Sequence, residues 1–270
     1  MIRDRRKYDE KIEPFQSSIN EIIKREQIIT AVLKKDSVPV TAARKRLGLV
    51  NDMLNLTSNY ILQSSMAQTM LGIKNTDALN EARKSIYKAL NYLEEVIGRL
   101  VDAPYSDFEE KLEAIRTVSA GQRYNLIRKM GLAVYLLIDA GGENSKYKWA
   151  FVELEGRYAA AVKNILDLKA VYAATDPRSP DYEPTIRHVR LMKKMLMQAA
   201  DRYRNRYEFS THHVDDFKQG MEFLSALRRI TILMGERDMA ETVKKKFDVW
   251  AAKLENDLKK RPELSPGTGS

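Results

Sequence analysis

The stretch TDALNEARKSIYKALNYLEEVIGRL, residues 76–100, decides the class of fold. Its apolar residues Leu79, Ala82, Ile86, Leu90, Leu93, Ile97 and Leu100 recur every three or four positions. That spacing puts one apolar stripe on an α-helix, whereas a half-buried strand alternates every second residue. Thr76 stands at the expected N-cap, and Asp102-Ala103-Pro104 at the expected end.

The same period extends in both directions. Upstream, Ile12, Phe15, Ile19, Ile22, Ile29 and Leu33 form a stripe interrupted once by Glu26, with Pro14 suited to a first helical turn. Asp36 to Pro39 breaks the chain, and a second helix is expected over about 40–71, stopped by Gly72. Downstream, Ser106-Asp107-Phe108-Glu109 has the spacing of a capping box for a fourth helix, with Gly121 able to bend or split it. Its continuation from Leu126 to Asp139 is apolar on most sides and predicts the most buried helix of the domain. Beyond the Gly141-Gly142 loop, a fifth helix spans Trp149 to Tyr172 and a sixth runs from near Pro184 past Tyr207. The seventh covers roughly 213–234 and the eighth roughly 236–259.

The expected fold is therefore all-α: about eight long antiparallel helices, arranged as a helical bundle or as stacked helical hairpins, because short connections make consecutive helices neighbours. Residues 1–260 are expected to form one helical domain, and 261–270 a flexible tail. A sub-boundary is placed near 176–184, where three of the eight prolines cluster. No 34-residue repeat of small and aromatic positions is present, which argues against a tetratricopeptide array. The likeness to helical adaptor proteins is one of architecture alone.

Composition narrows the chemistry. The 270 residues contain 46 Lys+Arg, 37 Asp+Glu, three His and no Cys, for a formal net charge of +9. Without cysteine there is no disulfide scaffold, thiolate zinc site or cysteine nucleophile. The basic start lacks the apolar region of a signal peptide, and no apolar run reaches a bilayer span of roughly 18–20 residues. A cytoplasmic location is the expectation. Six of the nine excess positive charges fall in residues 185–270. A basic surface of this kind attracts nucleic acid, anionic lipid or acidic protein.

Catalytic motifs do not emerge. Gly141-Gly142 lacks the preceding strand and the Lys-Ser/Thr of a phosphate loop, and no Gly-x-Ser-x-Gly elbow occurs. Glu208, His212 and Asp216 would share a face if the helix continued through them, but the chain is expected to turn near Ser210. No catalytic residue, metal site or cofactor is therefore expected. His188, between Arg187 and Arg190, reads as a surface histidine.

The segment around 185–207 carries the most chemistry. Arg187, Arg190 and Lys194 are three and four residues apart and share a helix face, as do Arg202 and Arg206 a stretch later. Guanidinium forks bind phosphate or carboxylate, and interleaved aromatics can stack on bases. Two functions are expected in order. The first is a non-enzymatic cytoplasmic scaffold or adaptor that binds another protein. The second is binding of nucleic acid or a phosphorylated ligand through these five residues.

Overall fold

The computed structural model describes residues 2–142, 148–174 and 176–260, with side chains from Arg5 onward. These residues form ten α-helices and one π-helical turn, and no strand occurs among them. The chain divides into two compact units, Met1–Arg99 with Phe108–Lys148 and Leu100–Asp107 with Trp149–Ser270.

In the first unit, α1 spans Ile2–Leu33, α2 Pro39–Leu71, α3 Thr76–Ile97 and α5 Ala120–Gly141; the short α4 (Ser106–Ala114), which leads into α5, belongs to it from Phe108 onward. The central helix is α2, which packs against α1, α3 and α5. Its Leu49, Val50 and Met53 are fully buried, as are Ile86, Leu90, Leu93 and Ile97 of α3. Each such side chain contributes roughly 1.5–3 kcal/mol on leaving water. Gly72 ends α2 at φ 66°, a left-handed conformation that closes the helix at little cost to glycine.

Polar ties fix the packing. Arg25 of α1 donates two hydrogen bonds, of 2.7 and 2.6 Å, to the carboxylate of Asp52 on α2. Glu26, the apparent break in the α1 stripe, is buried; it accepts from Lys88 Nζ at 2.9 Å and from the Tyr92 hydroxyl at 2.8 Å, both on α3. At the α1–α2 turn the Asp36 carboxylate accepts from Lys45 Nζ, the Val38 amide and the Thr41 hydroxyl, which holds it well down, at about 2.

Several local boundaries differ from expectation. Helix α1 begins before Pro14 rather than at it, so the proline lies inside the helix. The turn ahead of it is held from outside, because Tyr8 and Ile12 cluster with Ala67, against Met66, Met70 and Leu71 of α2. The cap of α3 is Asn75, whose side chain accepts from the Ala78 amide, and its stop is Gly98. The capping box forms at Ser119 and Gln122, opening α5, while the Ser106 hydroxyl turns instead to the Asp107 carboxylate. Helix α5 is not the most buried helix: Leu132 and Tyr135 stand 59% and 64% exposed on one side of it.

In the second unit, α6 (Ala150–Asn164) and α7 (Leu168–Ala173) replace a single expected helix, because Asp167 caps a new start by accepting from the Lys169 and Ala170 amides. Then come α8 (Tyr182–Arg206), the π-helical turn Tyr207–Thr211, α9 (Val214–Leu233) and α10 (Arg237–Lys260). Helix α9 packs on both α8 and α10, and α6 packs on α8. The proline cluster at 176–184 lies wholly inside this unit, where turns lead into α8. Residues 261–270 fall outside the described residues.

The helices of this unit approach closely. A Cβ on Gly220 of α9 would lie 3.0 Å from the Ala200 carbonyl of α8, and one on Gly156 of α6 would lie 2.6 Å from the Tyr203 ring. Tyr203 stacks on Phe223 at 5.7 Å, and Phe217 meets both Tyr207 at 4.9 Å and Trp250 at 5.7 Å.

This contrast sets a stability test. Gly220→Ala forces helix backbones apart and should destabilise by about 1–3 kcal/mol, the range for overpacked cores. Gly48 is exposed within α2 and has nothing within 4 Å of a built Cβ, so Gly48→Ala should stabilise by up to ~1 kcal/mol through helix propensity. Urea unfolding midpoints of the two variants should move in opposite directions.

Candidate functional site

Helix α8 carries all five residues singled out from sequence, and the fold separates them. At about 100° per residue, Arg187, Arg190 and Lys194 fall within one narrow sector, but Arg206 lies about 160° around the helix from Arg190. The sector facing the core is taken by Val189, Met192, Leu196, Ala199 and Tyr203.

Their partners differ as much as their directions. Arg187 pairs with Glu183 one turn earlier. Arg202 reaches Glu155 of α6 at 3.3 Å, and burial raises the Glu155 carboxyl above its usual range despite that cation. Arg206 is mostly buried. It binds the carboxylate of Asp216, donates to the Trp149 carbonyl at 3.4 Å and lies 4.8 Å from the Tyr203 ring centre. Thr211 donates to the same carboxylate at 2.5 Å. Of these five, Arg190 and Lys194 are exposed and make no ion pair among the described residues.

The helix continues past Arg206 as a π-helical turn and stops at His212, which adopts φ 52°. Glu208 is engaged by Arg204 at 3.0 Å and lies 3.8 Å from Lys253. The face that would bring Glu208, His212 and Asp216 together does not form, and no group of metal-ligating side chains is assembled among the described residues. His188 is not a surface residue: it is buried, with Nε2 2.8 Å from the Val162 carbonyl oxygen. The consecutive cations of Arg44-Lys45-Arg46 and Lys244-Lys245-Lys246 diverge around their helices. Lys45 goes to Asp36, Arg46 to Glu95 and Lys246 to Asp201.

Two features escape a reading by motif. One is a polar cluster at the end of α6. Lys163 Nζ lies 3.4 Å from the Ala103 carbonyl, Asn164 donates to the Leu100 carbonyl at 3.1 Å, the Tyr105 hydroxyl donates to Asp167 at 3.0 Å, and Arg229 pairs with Asp102 at 3.0 Å. Burial lowers the Lys163 ammonium to about 8; Arg229 lowers it further, and Asp102 and Asp107 oppose the shift. The other is a set of exposed apolar side chains at one end of the α1–α2 hairpin. Ile28 is 66% exposed, and Val32, Val38 and Val40 are also exposed. Ile28 and Val32 are one helical turn apart, a sign visible in the sequence once Ile22 and Ile29 fix the inward face.

Arg206 therefore serves the fold. Arg206→Ala should cost roughly 3 kcal/mol or more, because it leaves the Asp216 carboxylate buried without its cation. Arg190→Ala should stay within about 0.5 kcal/mol. Chemical denaturation of both variants distinguishes them. Lys163 supplies a second test. Between pH 8 and 10.5 the unfolded chain keeps a proton that the folded chain has released, so stability should rise with pH across that window. Lys163→Met should flatten the rise.

No helix among the described residues is long and apolar enough to cross a membrane. No curated protein and no solved structure matches the chain. One family model covers nearly the whole span from α1 to α10. The model of the TP0443 family matches residues 4–258, and the chain belongs to that family.

Proposed function

We propose that this chain is a cytoplasmic, non-enzymatic helical scaffold or adaptor that binds another protein. The observation that carries the reading is the exposed apolar group at the α1–α2 end: Ile28, Val32, Val38 and Val40, with exposed Ala31 between the first two. Scattered single apolar residues are ordinary on a protein surface, whereas several gathered together mark interaction sites. Exposed Lys34, Lys35 and Ser37 give the group a polar rim, the arrangement of a protein-binding patch.

The second reading, anion binding on α8, is supported by Arg190 and Lys194 alone, since the other three cations are engaged within the fold. Two phosphate contacts would give a shallow salt dependence, a slope of about −1.8 on duplex DNA.

One experiment weighs both. Tagged full-length chain is used to capture partners from native extract, with and without nuclease, alongside Ile28→Glu/Val32→Glu and Arg190→Ala/Lys194→Ala. The adaptor reading expects a protein that survives nuclease, is kept by the basic-face variant and is lost from the apolar-patch variant. Capture that disappears with nuclease and with Arg190→Ala/Lys194→Ala, while Ile28→Glu/Val32→Glu changes nothing, overturns it in favour of nucleic acid.

A further inference from the structure

Helix α5 buries one side and leaves the other uncovered. Leu126, Ile127, Met130, Ala133, Val134 and Leu137 point inward. Directly opposite lie Arg128, Leu132, Tyr135 and Asp139, all exposed. At about 100° per residue these four fall within a sector of about 60°, so they form a single stripe down the helix. Its middle is apolar, its N-terminal end cationic and its C-terminal end anionic. The Arg128 guanidinium rests 5.7 Å from the Tyr124 ring centre, and neither it nor the Asp139 carboxylate has an ion pair among the described residues.

The order of the stripe has a symmetry. Arg128 and Asp139 lie equally far from the midpoint between Ala133 and Val134, and so do Leu132 and Tyr135. A two-fold axis through that midpoint would lay a second α5 antiparallel on the first. Arg128 would then face Asp139 at both ends, and Leu132 would face Tyr135 on both sides of the axis. An isologous contact needs this self-complementarity, in which position i meets position j and j meets i. An unrelated partner would require no such palindrome of charge and size.

We infer that the outer face of α5 is a homodimer contact, formed by antiparallel pairing of this helix with the same helix of a second copy. Paired helices pack at about 8–10 Å between axes, close enough for both charge pairs to form across the contact. A single helix pair buries less than the roughly 1,200–2,000 Å² of a stable interface, so the dimer is weak and depends on concentration. This face is separate from the α1–α2 patch, and each can fail without the other.

The test is sedimentation velocity of the full-length chain from about 1 μM to about 1 mM, a range that covers weak association. A reversible monomer–dimer equilibrium is expected. Arg128→Asp and Asp139→Arg should each weaken association at least tenfold, because like charges then meet at both ends of the contact. Mixing the two single variants should restore a complex, since one copy then carries two acids and the other two bases. The double exchange Arg128→Asp/Asp139→Arg should restore self-association. Both sites are exposed, so helix content by circular dichroism should match the unmodified chain in every variant. Monomer throughout the range overturns the inference. So does a dimer indifferent to the single exchanges, or association lost in the single variants and recovered neither by mixing nor by the double exchange.

Discussion

The second unit closes around the ring of Tyr203. Gly156 of α6 leaves room on one side of it, Gly220 of α9 brings another backbone near, Phe223 stacks against it and Arg206 covers it. Three helices converge on one side chain, and the fit leaves no space for a single added methyl group. Arg206, one of the five cations singled out in the sequence, is held there. Arg206 stands over the ring because Asp216, fixed at the start of α9 by Thr211, anchors its far end. Packing density thus decides which charges remain available to solvent.

The first unit solves a different problem. Its central helix α2 has neighbours on three sides, so α1 must meet α3 with a side chain that reaches past the main stripe. Glu26 does so, satisfied by Lys88 and Tyr92, and burial with the nearby carboxylate raises the phenol of Tyr92. A buried carboxylate with two donors adds little net stability, yet removing either donor would be costly. It pins the rotation of α1 about its own axis, which in turn determines that Ile28 and Val32 face outward.

Helical class was legible because the period of Leu79, Ala82, Ile86 and Leu90 is a local property that burial enforces. The ends were less so. Ser106 and Ser119 both precede an acid or amide three residues on, and the sequence does not reveal which of the two boxes closes. Pro14 marks a helix start by its own chemistry, but the cluster of Tyr8, Ile12 and Ala67 extends the helix beyond it, a contact between residues nearly sixty positions apart. The run from Leu132 to Ile138 looked uniformly apolar, and only the packing of α5 on α2 and α3 reveals which half is covered. The basic face failed for a geometric reason: spacings of three and four define a face only over short distances, and sixteen residues bring the chain nearly to the opposite side of the helix. The ion partners of Arg187, Arg202 and Arg206 include one local residue and two from other helices, and only the local one could be foreseen.

The segment 100–107 has a consequence for how the chain is made. It belongs with the second unit, although the residues on either side of it belong with the first. A ribosome releases Leu100, Ala103 and Tyr105 some sixty residues before Asn164, Lys163 and Asp167 exist to receive them, and Asp102 well before Arg229. All the helices of the first unit have been made by the end of α5, while the contacts of this loop still lack their partners. The second cannot finish until α10 has emerged to pack on α9. Order of synthesis is therefore written into the topology: the earlier unit matures while carrying a piece of the later one, and no single cut in the chain yields both units whole.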